Sequence, residues 1–225
     1  MKIARSGKEL LEICAAEQIS LSEYAIRQEM ELKNVSREDL FAQMKITLDA
    51  MKESATAGRE KKVYSLSGLI GGDAYRLQQY CNTGNSLMGN GIVMAMAMAI
   101  SSSEVNGAMA SGAVVELMGG TPKMSLDAAA IIFKNVLGLV CDPVAGLVEI
   151  PCAKRNVSGA INALCTADMV MAGVNSKIPF DYAVAAMYKV GTGLPEELRE
   201  TALGGCAITP TGKALQEKVF GKKEN

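Results

Sequence analysis

Apolar residues recur at helical spacing from the first turns of the chain. Ser6 can cap a helix running to about Glu17, in which Leu10, Leu11, Cys14 and Ala15 share one face. Ser20 with Glu23 has the spacing of a capping box and opens a second helix carrying Tyr24, Ile26, Met30 and Leu32. Ser36 with Asp39 is a looser version of that start, and Leu40, Met44, Leu48 and Met51 follow at helical spacing, so three amphipathic helices are expected before Gly58. Their other faces carry Lys8, Glu12, Arg27, Glu31 and Lys52, as solvated faces do. Beyond Gly58 the amphipathic contrast fades. A helix is expected over Ala74–Cys81, and Met94–Ala99, apolar at every position and helix-favouring, reads as a buried helix. Ser101–Asn106 reads as a polar interruption before a small-residue helix over Ala108–Met118. Ser125 is expected to cap a helix to about Leu139. Ala153–Ala172, Pro179–Val190 and Lys213–Phe220 complete the set, with Cys14, Cys81 and Cys165 on core-facing positions. The expected fold class is all-α: a single compact multi-helix domain over 1–225, with N-terminal helices at 6–58 and a cysteine-loop region at 125–225.

Composition supports this and removes several functions. Apolar residues make up 49% of the chain but aromatics only 4%, with no Trp, a balance that favours close helix packing over strands. The net charge of −1 gives no electrostatic case for nucleic acid or an anionic membrane. Ile92–Ile100, the most apolar run, is too short to span a bilayer. With no His, the commonest general base and metal ligand is missing, so chemistry must come from Cys, Asp, Glu, Lys, Tyr, a cofactor or backbone dipoles. The six Cys are too scattered for a disulfide scaffold, and the N-terminus carries no signal core, so a cytoplasmic, reducing setting is expected.

The candidate chemistry sits between Gly138 and Asn156. Cys141 precedes Asp142-Pro143 and Cys152 follows Pro151, so both thiols are attached to rigid, irregular backbone. Two readings stay open on spacing alone: a pair of core thiols, or aimed soft ligands for a metal. The glycine-rich loop around Gly71-Gly72-Asp73 is a plain turn or, before a helix N-terminus, an anion site, and Gly204–Gly212 is a second glycine-rich loop before the last helix.

The run Leu137–Cys152, followed by Lys154-Arg155-Asn156, resembles the signature of the α subunit of the iron-sulfur-dependent L-serine dehydratases, or L-serine ammonia-lyases. Supporting matches are Gln28–Glu31, Gly71–Asp73, Glu104–Asn106, Glu116–Pro122, Gly204-Gly205 and Thr209–Gly212. The resemblance implies deamination of L-serine to pyruvate and ammonia at a 4Fe-4S cluster held by three cysteines, with one iron open to substrate. It makes Cys141 and Cys152 cluster ligands and puts Gly71, Gly72, Asp73, Arg155 and Asn156 in the substrate pocket, with the base for the α proton unassigned. Expected partners are L-serine, a separate β subunit and a second copy of the chain, with no nucleic acid and no membrane. One departure stands out. After about Met109 an internal segment of the family is missing, and with it the family's third cysteine, for which Cys206 is the substitute to consider. The alternative function is therefore a shortened, inactive relative that keeps the fold as a binding or structural subunit.

Overall fold

The computed structural model describes residues 3–59 and 103–221, giving only the backbone of 51, 54–59 and 103–106. Among them are eight α-helices and no strand, as the composition leads one to expect: α1 Gly7–Glu17, α2 Leu21–Lys33, α3 Arg37–Arg59, α4 Ser103–Leu117, α5 Pro122–Asn135, α6 Cys152–Met171, α7 Phe180–Gly193 and α8 Pro210–Phe220. The helices expected over 74–81 and 94–99, with Cys81, lie outside the described residues.

The first helix starts follow from their caps. The hydroxyls of Ser6, Ser20 and Ser36 accept the N–H of Glu9, Glu23 and Asp39, each at 3.1 Å. Each bond satisfies a donor that the helix itself leaves without a partner. At the other end, Gln18 and Asn34 turn left-handed and return their N–H to Cys14 and Met30.

Three starts differ from the expected ones. α4 begins at Ser103, inside the stretch read as an interruption. α5 is capped by Thr121 with Pro122 at its first position, and Ser125 sits buried within the helix, donating its hydroxyl to Gly112 O at 3.0 Å. α8 likewise starts at Pro210 under a Thr209 cap rather than at Lys213.

The described residues form two compact units. The first comprises 3–51, 104–136 and 161–187. α5 is its centre, because Ala128 to Phe133 are buried without interruption and so face neighbours all round. One side packs Ala129, Ala130, Ile132 and Phe133 with Ala108, Ala183 and Phe180; the other packs Ala128 and Ile131 with Val115, Ala167 and Val170. Alanines at these contacts let helix backbones approach closely, which is what a chain poor in aromatics can do. Two carboxylates pin helix starts here: Asp181 accepts Gly7 N–H at 2.6 Å and Lys8 N–H at 3.1 Å, and Glu116 accepts the N–H and hydroxyl of Ser22. Each sets negative charge against the positive end of a helix dipole.

Two burial expectations are corrected. Cys14 is buried as expected, but Cys165 is exposed, because α6 turns Ala163, Thr166, Ala167 and Val170 inward. Among the described side chains of α3 only Leu40 is buried, while Met44 and Leu48 are 51% and 47% exposed.

The second unit comprises 52–59, 103, 137–160 and 188–221, and it holds the cysteine loop. The 3-10 turn Val144–Gly146 of that loop packs against α8 and against a second 3-10 turn, Gly205–Ile208.

Candidate cysteine centre

A chain with cysteine next to Asp-Pro cannot continue a helix there, and the backbone of Cys141 finds its partners elsewhere. Its N–H donates to Leu198 O at 2.9 Å and its C=O accepts Glu200 N–H at 2.7 Å, an isolated parallel bridge opposite Arg199. Past Pro143 the loop closes on itself. Val144 N–H reaches Ile150 O at 2.8 Å, Ala145 and Gly146 take left-handed φ of 61° and 70°, and the Ile150-Pro151 bond is cis. That closure brings Cys152, the first residue of α6, back to Cys141, and the two thiols are hydrogen-bonded to each other. Eleven residues apart in sequence, they are neighbours because the loop between them is a closed turn.

The organising group is Asp142. Its side chain is only 3% exposed, and a carboxylate removed from water needs donors. It has Arg155 Nη1 at 2.7 Å on Oδ1, Cys206 N–H at 2.6 Å on Oδ2, and the Cys206 thiol as well. Burial pushes the Asp142 carboxyl up, but the Cys206 and Arg155 hydrogen bonds together outweigh it and hold the group below its ordinary range. Arg155 Nη1 also donates to Val140 O at 2.8 Å, so one guanidinium nitrogen ties the two residues flanking Cys141 to α6.

The Gly204–Gly212 stretch fits against this group by being small. Gly205 has φ +56°, and a Cβ there would run into the Asp142 carboxylate; a Cβ at Gly212 would run into Cys206 O. Burial raises the Cys152 thiol above its ordinary range, with Arg155 and Cys141 opposing it, whereas for Cys206 the hydrogen bond to the Asp142 carboxylate is the main cause of the rise.

Of the residues singled out in the sequence, the fold therefore brings Cys141, Cys152, Arg155 and Cys206 into one neighbourhood. Asn156 lies next along α6 and is half-buried. Gly71, Gly72 and Asp73 fall outside the described residues. Two groups were missed. Asp142 was read only as part of an Asp-Pro turn, although an acid inside the apolar run Leu137–Ile150 requires a buried partner and Arg155 is the nearest arginine. The strand-like contact at Leu198–Glu200 gave no signal, since a lone bridge has no periodicity.

The donor set can be tested against an iron-sulfur cluster. Cys141 and Cys152 suit it in chemistry, being soft donors side by side on rigid backbone. In number they fall short: among the described residues no three Cys, Asp or Glu side chains stand together as a finished metal cage.

The chain is similar to known proteins along most of its length. The model of the serine dehydratase alpha chain matches residues 16–109 and 106–207, two pieces that meet where the missing segment is expected. A probable L-serine dehydratase alpha chain of Bacillus subtilis (strain 168) is 39% identical over 287 positions, covering 96% of this chain and 95% of that protein. Since 287 exceeds the 225 residues here, part of that relative has no counterpart in this chain. The L-serine dehydratase alpha chain of Peptoniphilus asaccharolyticus is 32% identical, covering 94% of this chain and 96% of its own length. A probable L-serine dehydratase alpha chain of Latilactobacillus sakei is 57% identical over 115 residues, 51% of this chain and 55% of that one.

Proposed function

Because the chain belongs to the serine dehydratase alpha chain family, we propose that it is the α subunit of an L-serine dehydratase, a lyase that converts L-serine to pyruvate and ammonia with a separate β subunit. The observation that carries this reading is the contact between the Cys141 and Cys152 thiols, backed by the buried Asp142–Arg155 pair. Names of relatives aligned along nearly their whole length support the active enzyme over a purely structural subunit.

Cys141 and Cys152 would hold a 4Fe-4S cluster, which when bound supplies Lewis acidity at the β-hydroxyl of serine. This chain's own residues do the rest. The closed loop fixes the thiol pair, and the Asp142–Arg155 pair fixes the loop against α6. Asn156 and the backbone amides of Gly71, Gly72 and Asp73, with the remaining N–H groups of the Arg155 guanidinium, bind and orient the serine carboxylate. Loss of the α proton and of the β-hydroxyl as water gives aminoacrylate, and its hydrolysis returns that water and releases ammonia.

Among the described residues no helix is long and apolar enough to cross a membrane. Among the described residues Cys14, Cys141, Cys152, Cys165 and Cys206 are free thiols, which supports a cytoplasmic setting. The test is anaerobic reconstitution of the chain with its β subunit. Bound iron and acid-labile sulfide should accompany pyruvate formation from L-serine, and Cys141→Ser should abolish both; unchanged iron in that variant removes the assignment.

A further inference from the structure

The first unit holds a cavity of about 610 Å³, a volume that accommodates a small organic molecule. Its wall comes from the N-terminal parts of α1, α5 and α7 and from the turn over 175–179 that leads into α7. None of the residues assigned above to serine or to the cysteine centre lines it.

Three lysines, Lys8, Lys123 and Lys177, and two aspartates, Asp127 and Asp181, stand around this cavity. Both carboxylates are committed within the protein. Asp127 pairs with Lys123 at 2.6 Å, and Asp181 takes the N–H groups of Gly7 and Lys8 at the start of α1. The Lys8 ammonium reaches only Glu12, at 4.0 Å with both side chains largely exposed, and Lys177 has no ion pair among the described residues. Two positive charges are therefore left without a close counter-ion.

The turn that presents Lys177 is fixed on both sides. Buried Ser176 donates its hydroxyl to Ile178 O at 2.6 Å, Ile178 N–H returns to Ser176 O at 2.7 Å, and Lys134 Nζ donates to the same Ser176 oxygen at 2.6 Å. Between these anchors Lys177 takes a left-handed φ of 59°, which a residue with a side chain rarely adopts. Leu11, Leu126, Ile178 and Phe180 make much of the remaining wall apolar. A phosphate takes a cradle of backbone N–H groups, and those at the start of α1 are already used by Asp181. What the cavity suits is one negative charge carried on an apolar body.

We propose that this cavity binds a small monocarboxylate with an apolar body, its carboxylate held by Lys8 and Lys177 and its body resting on Leu11, Leu126 and Phe180. The site stands apart from the dehydratase reading and does not depend on it.

Isothermal titration of the full chain with 3-phenylpropionate tests it. The comparisons are 3-phenylpropanol, the same body without the charge, and inorganic phosphate, a charge without the body. Saturable binding of phenylpropionate is expected, with the alcohol and phosphate each at least about tenfold weaker. Lys8→Ala and Lys177→Ala should each weaken phenylpropionate about fivefold, as loss of one close charge pair in nearly full solvent does, and added salt should weaken it in the wild type. Lys45→Ala, on α3, should change nothing, and far-UV circular dichroism checks that each variant is folded. No saturable binding of phenylpropionate up to about 10 mM overturns the proposal. So does binding that is unchanged in both the Lys8 and Lys177 variants, or that the alcohol or phosphate matches.

Discussion

Replacing Asp142 by Ala removes the one group on which the Cys141 loop, α6 and the Cys206 turn all depend. Two charge-assisted hydrogen bonds are lost, from Arg155 Nη1 at 2.7 Å and from Cys206 N–H at 2.6 Å. Bonds of this kind contribute about 1.5–3 kcal/mol each, which suggests roughly 3–6 kcal/mol for the two. The lower end applies, because the Arg155 side chain is 23% exposed, still donates to Val140 O, and can recover part of its solvation from water. Cys206 is exposed too, so its N–H also finds water. A loss of about 3 kcal/mol follows, equivalent to about 100-fold in an equilibrium constant. Urea unfolding reads the global effect. Native-state hydrogen exchange reads the local one: the Cys206 amide should lose about 100-fold of its protection, while the amides of α5, whose core lies in the other unit, keep theirs. A double-mutant cycle with Arg155→Met should show that the two losses overlap by at least about 1 kcal/mol. Full additivity, or protection of the Cys206 amide within about threefold of wild type in Asp142→Ala, would refute the claim that this carboxylate holds the centre together.

The remaining predictions concern the same unit. The Asp142 carboxyl is held below its ordinary range, so its stabilisation is complete above about pH 4, the unfolded value, and is lost as pH falls through the lower folded value; the urea midpoint should drop there in wild type and change much less in Asp142→Asn. The same substitution should speed alkylation of Cys206 by iodoacetamide at mildly alkaline pH, because the hydrogen bond to Asp142 and its negative charge keep that thiol protonated; an unchanged rate would contradict the contact. Gly205→Ala adds a collision with Asp142 to a left-handed backbone, whereas Gly146→Ala, at φ +70° with nothing within 4 Å, bears the backbone cost alone. Thermal melts should put the second at about 1 kcal/mol and the first at least about 2 kcal/mol higher; equal losses would mean that the Gly205–Asp142 approach is not tight.

Most helices were legible because their signals are local. Ser6, Ser20 and Ser36 cap where capping chemistry places them, and the absence of strands among the described residues follows from a chain rich in Ala, Met and Leu. The misread starts show competition between local signals. Ser125 has a cap-forming side chain, but Thr121-Pro122 offers a better start four residues earlier, and the Ser hydroxyl then satisfies Gly112 O in the core. Cys165 and α3 show the opposite limit. A helix's periodicity states which residues share a face, and it cannot state whether anything packs on that face.

The candidate site divides along the same line. By itself the sequence determined that neither Cys141 nor Cys152 sits in the middle of a regular element, since Pro143 and Pro151 interrupt the chain beside them, and that no histidine competes for the chemistry. It also carried the family pattern and the gap near Met109. Only the tertiary structure decided that the two thiols touch, that Asp142 is buried and must take Arg155 and Cys206 as donors, and that Leu198–Glu200 completes the backbone of Cys141. The physical reason is range. Caps, turns and proline act over a few residues and are written locally, whereas a buried carboxylate has to be neutralised by whatever the fold brings to it, here a turn more than sixty residues further along the chain.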